Sequence, residues 1–245
     1  MPVRETGESL PMGTTDLSQF VVIFDLDGTL VDSAPDLTAT LNVILQAQGL
    51  WAVPPEKVRG MVGHGARALL RAGFAYQEKT FPEDERGDAM LEAFVDYYRD
   101  HIADHSAPFP GCEATLERLA TAGATLAVCT NKLEALAFPL LEMLSLRDHF
   151  QVILGRDSLP TYKPDPAPLL EILRRTNRPH GIMIGDTDTD RGAARAAGMR
   201  CAIASFGYGN TENLDPKREQ RFDHFEALPQ LIFNWAAQHA AELGE

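Results

Sequence analysis

Asp25 and Asp27 are the pair of residues in this chain best placed for chemistry, two carboxylates one leucine apart in the run Val21-Val22-Ile23-Phe24-Asp25-Leu26-Asp27-Gly28-Thr29. One carboxylate can attack an electrophilic centre covalently, while a second nearby hands a proton to the leaving group and later takes one from water. Three more polar clusters follow: Thr130-Asn131, Lys163 in Tyr162-Lys163-Pro164-Asp165-Pro166, and Gly185-Asp186-Thr187-Asp188-Thr189-Asp190. Aspartates gathered in one place do not all stay ionised without a cation among them. Oxygen ligands with no adjacent His or Cys point to Mg2+ rather than zinc, held by Asp25, Asp186 and a backbone carbonyl near Asp27. With that ion offsetting phosphoryl charge, Asp25 is the expected nucleophile and Asp27 the acid and base. Lys163 is expected to offset the charge of the pair, and Thr130 and Asn131 to donate hydrogen bonds to phosphoryl oxygens. Gly28, which lets backbone approach the ligand, and Thr29 are placed with the substrate-binding residues.

Each cluster alone also has a plainer reading. Asp and Gly after a strand make turns, Lys163 by itself reads as a solvated lysine, and Asp186 and Asp190 suit a helix N-terminus. Asp188 is read that way, as an N-cap. What favours a site is their common position, and that depends on the elements carrying them.

Phe20 to Phe24 is an apolar, β-branched run, and the pattern recurs at Thr125 to Cys129, Gln151 to Leu154, Ile182 to Ile184 and Cys201 to Ala204, as expected of buried parallel strands. Helical patterns lie between them: Glu113 to Ala122, Leu133 to Leu144, Pro166 to Thr176, and Thr189 to Ala197 closed by Gly198. This alternation predicts an α/β fold with a Rossmann-like parallel sheet, whose strand C-termini gather the four clusters on one edge. From Ala34 to His105 the alternation stops and the patterns are helical: Leu37 to Gln48, Ala66 to Gly73 and Glu83 to Asp104. A helical cap over residues 34–105 is therefore expected, inserted into a core of residues 19–33 and 106–245, with borders at Asp32 to Pro35 and Ser106 to Gly111. Phe24, Trp51, Phe94, Tyr97 and Phe138 are assigned to the core.

The formal charge of −13 on 245 residues argues against nucleic acid or an anionic membrane as a partner, since both recruit clustered Lys and Arg. The partner expected is a small phosphate ester, for a monomer or homodimer. Cys112, Cys129 and Cys201 are widely spaced and read as buried thiols in a reducing cytoplasm. No signal-length or membrane-length apolar run occurs, and residues 1–18 read as a disordered polar extension.

The order Asp-Leu-Asp-Gly-Thr, Thr-Asn, Lys-Pro and Gly-Asp-Thr-x-x-Asp resembles the haloacid dehalogenase superfamily from Phe20 onward. That resemblance implies aspartyl-phosphate chemistry, magnesium and a mobile cap. Asp27 argues against a dehalogenase, whose motif is similar but lacks the second acid, whereas phosphomutases keep it. Three stretches are similar to phosphoglycolate phosphatases: Thr130-Asn131-Lys132 with Phe138-Pro139-Leu140-Leu141-Glu142, Val62-Gly63-His64-Gly65-Ala66, and Phe206-Gly207-Tyr208-Gly209. His64 departs from the Asn that many of those enzymes carry. The resemblance thus implies hydrolysis of 2-phosphoglycolate to glycolate and phosphate. Phosphatases of N-acetylmuramic acid 6-phosphate or sugar phosphates, and phosphomutases, are the alternatives. His64 or Arg67, in a flexible cap loop, is expected to meet a substrate carboxylate.

Overall fold

The computed structural model describes residues 16–243. The expected strands form as β1 (Phe20–Phe24), β4 (Thr125–Cys129), β5 (Val152–Leu154), β6 (His180–Gly185) and β7 (Arg200–Ala204), and β8 (Glu219–Phe222) is added at the edge. All neighbours pair in parallel in the order β5-β4-β1-β6-β7-β8. Counted along the chain, this is the doubly wound order in which winding reverses between β1 and β6, and a crevice opens at the C-terminal ends of those two strands.

Burial explains the register. Every residue of β1 and β4 is buried, so both faces need apolar side chains. Val22 and Phe24 point to one side, with Leu116 of α5 (Cys112–Thr121), Leu140 of α6 (Glu134–Met143) and Ile232 of α9 (Leu228–Leu243). Val21 and Ile23 point to the other, with Leu169 of α7 (Ala167–Thr176) and Ala193 of α8 (Asp188–Ala196). The α5, α6, α7 and α8 helices match the expected patterns to within a residue or two at each end.

Between the two halves of the core the chain is helical, as expected: α1 (Ala34–Ala47), α2 (Pro55–Val58), α3 (Ala66–Tyr76) and α4 (Glu85–Asp100). The α1 helix buries Leu37, Leu41, Ile44 and Leu45, the i, i+4, i+7, i+8 stripe of an amphipathic helix. The strands that enter and leave this insert, β2 (Val31–Asp32) and β3 (Ala107–Pro108), pair antiparallel. Asp36 at the start of α1 accepts from the His105 and Ser106 backbone N–H groups and from the Ser106 hydroxyl. These bonds clamp the two crossings side by side.

Several expectations change. Trp51 is 84% exposed rather than core; it follows the turn at Gly49, and its backbone is held on both sides by Gln77. Phe24 and Phe94 are buried, while Tyr97 and Phe138 are only partly so. The N-cap of α8 is Thr187, not Asp188, because Thr187 and Asp190 form a reciprocal capping box. Residues 1–15 of the expected polar extension lie outside the described residues. Leu17 within it is fully buried, and its N–H bonds to the Ala122 carbonyl. Among the described residues, no helix is long and apolar enough to cross a membrane.

Candidate active site

Asp25 closes β1 with its N–H still donated to the Ile184 carbonyl of β6, which plants its side chain at the reversal point of the sheet. It is 4% exposed. Oδ1 accepts from the Leu26 N–H at 2.7 Å and lies 3.0 Å from Lys163 Nζ. No described residue donates to Oδ2, so one side of the carboxylate is held and the other is not. Lys163 Nζ also contacts Asp190 Oδ1 at 2.6 Å. The Asp190 Oδ2 is taken by the Thr187 N–H and hydroxyl and by the Asp186 N–H. Lys163 therefore balances Asp25 and Asp190, not the expected pair of Asp25 and Asp27.

Asp186, which follows β6, is fully buried. Thr29 donates its hydroxyl to Oδ1 at 3.0 Å and the Tyr208 N–H bonds Oδ2 at 2.7 Å. Thr29, expected beside the substrate, thus supports Asp186 instead. Gly28 sits behind the same carboxylate at φ +82°, and a Cβ there would lie 2.8 Å from the Tyr208 ring. Both the backbone angle and the space require glycine.

One carboxylate oxygen each from Asp25, Asp186 and Asp190 lies within 4.8 Å of the others. Three ionised carboxylates around one ammonium leave two negative charges uncompensated, the complement of a divalent cation. Asp190 has spent its oxygens on Lys163 and the helix cap, which leaves Asp25 and Asp186 as the available ligands. The donor set is hard oxygen and fits a magnesium-type ion. The Asp27 carboxylate is turned elsewhere.

The electrostatics agree. Burial, opposed by Lys163 and reinforced by Asp190, pushes the Asp25 carboxyl up to about 7. Burial and the Asp190 and Asp25 charges raise Asp186 as well. Burial alone would lower Lys163, but Asp190 and Asp25 outweigh it and hold the ammonium above the usual lysine range. The carboxylates of such a site share a deficit of positive charge.

Asp27 faces a second cation. Lys132 Nζ lies 2.9 Å from Asp27 Oδ1 and donates to the Tyr98 hydroxyl of α4 at 2.9 Å, while Ser33 donates to Asp27 at 2.6 Å. Desolvation would lower Lys132, yet Asp27 and Tyr98 hold it above its ordinary value. The acid two residues after Asp25 is thereby tied to the helical insert.

Between core and insert lies a cavity of about 400 Å³, at the small end for ligand sites. Asp25, Asp27, Thr130, Asn131, Lys132 and Lys163 line it from the core, and His64 and Arg67 from the insert. Thr130 Oγ1 accepts from the Lys132 N–H at 3.1 Å, leaving its O–H to donate. The Asn131 amide is engaged: Nδ2 donates to the Gly63 and Lys163 carbonyls, while the buried Oδ1 has no hydrogen-bond partner. The glycine loop of the insert is therefore docked on the core. Arg67 belongs to α3 rather than the loop, and its guanidinium is paired with Asp88 and Glu83.

Sequence reasoning passed over Lys132 and Tyr98 as a pair, Arg156, which lines the cavity and bonds the His64 carbonyl, and Tyr208 as the support of Asp186. The likeness of Thr130-Asn131-Lys132 and Phe206-Gly207-Tyr208-Gly209 to phosphatase sequences marked two of these segments without disclosing what their side chains touch.

The model of the haloacid dehalogenase-like hydrolases matches residues 22–204, and the chain belongs to that family. A phosphoglycolate phosphatase of Mesorhizobium japonicum is 39% identical over 214 residues, covering 86% of this chain and 94% of the relative. One of Caulobacter vibrioides is 44% identical over 195 residues, covering 79% and 82%. The crystal structure of a predicted phosphoglycolate phosphatase from Haemophilus somnus superposes with a TM-score of 0.79 at 30% identity, over 88% of this chain and 99% of that one. These likenesses make the chain a phosphoric monoester hydrolase.

Proposed function

We propose that the protein hydrolyses a small phosphate monoester, 2-phosphoglycolate, through an aspartyl-phosphate on Asp25. The observation that carries the mechanism is the asymmetric Asp25 carboxylate, with Oδ1 bound and Oδ2 without a donor, on a residue that lines the cavity. Asp25 Oδ2 attacks phosphorus; the ester oxygen leaves and takes a proton from Asp27. Asp27 then removes a proton from water, which attacks the same phosphorus and frees Asp25. Lys163 keeps Asp25 oriented, and the Thr130 hydroxyl donates to a phosphoryl oxygen. Asp25 and Asp186, with the Asp27 backbone carbonyl, would hold Mg2+, which when bound neutralises phosphoryl charge. Residues 34–105 act as the cap that keeps bulk water from the first displacement and admits the one water the second needs, with His64 and Arg67 on its cavity face. The substrate is suggested by the names of the relatives. Three buried free thiols accord with a cytoplasmic setting.

Initial rates on 2-phosphoglycolate, sugar phosphates and pyrophosphate, with and without Mg2+, test the reading. Release of phosphate from 2-phosphoglycolate should be fastest and need the metal. Asp25→Asn should lower kcat by at least about 10³-fold with the fold retained. A variant keeping most of the activity would end the covalent mechanism, and isomerisation of a sugar phosphate without free phosphate would replace the hydrolysis reading.

A further inference from the structure

Five cations line the cavity: Lys132, Lys163, Arg67, Arg71 and Arg156. Four of them are neutralised on the spot. Lys163 serves Asp25 and Asp190, Lys132 serves Asp27, Arg67 serves Asp88 and Glu83, and Arg71 grips Glu83 with two nitrogens. Arg156 alone makes no ion pair with any described residue. Its surroundings nevertheless hold it still. Its backbone N–H donates to the Lys132 carbonyl at 2.9 Å, Nη1 donates to the His64 carbonyl at 3.0 Å, and the guanidinium lies 3.7 Å from the centre of the Tyr162 ring.

A planar fork that is already oriented, with one of its donor groups used and the others free, matches a carboxylate. The position suits the substrate as well. Gly65, at φ +87°, separates the guanidinium from the phosphoryl-side loop: a Cβ there would sit 3.1 Å from Arg156 Nη1 and 3.3 Å from the Asn131 carbonyl oxygen. Arg156 thus lines the same cavity as Asp25 and Thr130, at the end of the neighbouring strand β5. We propose that Arg156 is the specificity-determining residue of this site, taking the carboxylate of the substrate and so selecting phosphate esters with a second anionic group. The proposal rests on the phosphatase reading above. It moves the carboxylate contact from Arg67, whose charge is spent within the cap, to a core residue that also grips the cap loop. A bound carboxylate on Arg156 would then favour the docked position of His64.

The test compares 2-phosphoglycolate with 2-hydroxyethyl phosphate, which has the same length but no carboxylate. Arg156→Ala should raise KM for 2-phosphoglycolate by about tenfold or more, change KM for the neutral ester less than about threefold, and abolish competitive inhibition by glycolate. Arg156→Lys should keep part of the preference, because charge survives without the fork. Equal losses on both esters would mean that Arg156 only latches the His64 loop, and would overturn the proposal. So would selectivity that survives Arg156→Ala and disappears in Arg67→Ala. Wild-type protein that cleaves both esters without preference would overturn the proposal and the 2-phosphoglycolate reading together, leaving the phosphatase mechanism to the Asp25→Asn result.

Discussion

Lys163 is 1% exposed and in contact with two buried carboxylates, so its removal differs from the loss of a surface ion pair. Lys163→Met leaves Asp25 and Asp190 facing one another without a cation, at a cost of about 3–5 kcal/mol. Adding Asp190→Asn should recover part of that loss, which denaturant unfolding of the metal-free single and double variants would measure. A double variant no more stable than the single one would contradict the pairing. The sign with pH follows from the raised lysine and aspartate values. The ammonium keeps its charge across the neutral range, but Asp25, pushed up to about 7 by burial even beside Lys163, protonates as pH falls through that value, so the difference between wild type and Lys163→Met should be fully present above it and shrink below it.

At the scale of elements, the crossing between core and insert is held through one aromatic side chain. The Tyr208 hydroxyl donates to Asp32 of β2 at 2.7 Å and accepts from the Ala34 N–H of α1 at 3.0 Å, while the Tyr208 backbone holds Asp186. The Arg59 guanidinium closes the group, 2.6 Å from Asp32 Oδ2 and 5.4 Å from the Tyr208 ring centre. Tyr208→Phe keeps the ring and the backbone bond to Asp186 but deletes the bonds to Asp32 and Ala34. Global stability should fall by only about 1–2 kcal/mol, with hydrogen exchange rising at residues 32–36 and not in β1 or β6. Unchanged exchange at residues 32–36 would remove this role. Much of this level was legible from the chain. The β1, β4 and α7 segments are set by apolar runs and a proline entry that act locally. The β8 strand was not, because Glu219-Gln220-Arg221-Phe222 is polar in the middle and pairs only through β7. Nor was β2 with β3, two short pieces that become strands only when they meet.

For the whole molecule, a divalent ion that binds only the folded state should raise its stability by mass action, about 2.7 kcal/mol at a hundredfold excess over Kd. For a chain of this size that is a rise in Tm of roughly 5–10 °C on adding Mg2+. Asp186→Asn should abolish most of the rise; an equal rise in that variant would place the ion elsewhere. The sequence by itself determined the strand that presents Asp25, the order of the four polar clusters, the helical insert and the oxygen-rich character of the site, because periodicity and strand-end residue types act within a few positions. Which charges meet was decided by the tertiary structure. Lys163 joins Asp25 and Asp190, Lys132 joins Asp27 and Tyr98, and Arg67 is consumed by Asp88 while Arg156 keeps its fork. Pairing of charges depends on distance in space and on shared desolvation between segments far apart along the chain, and no local pattern of residues encodes either.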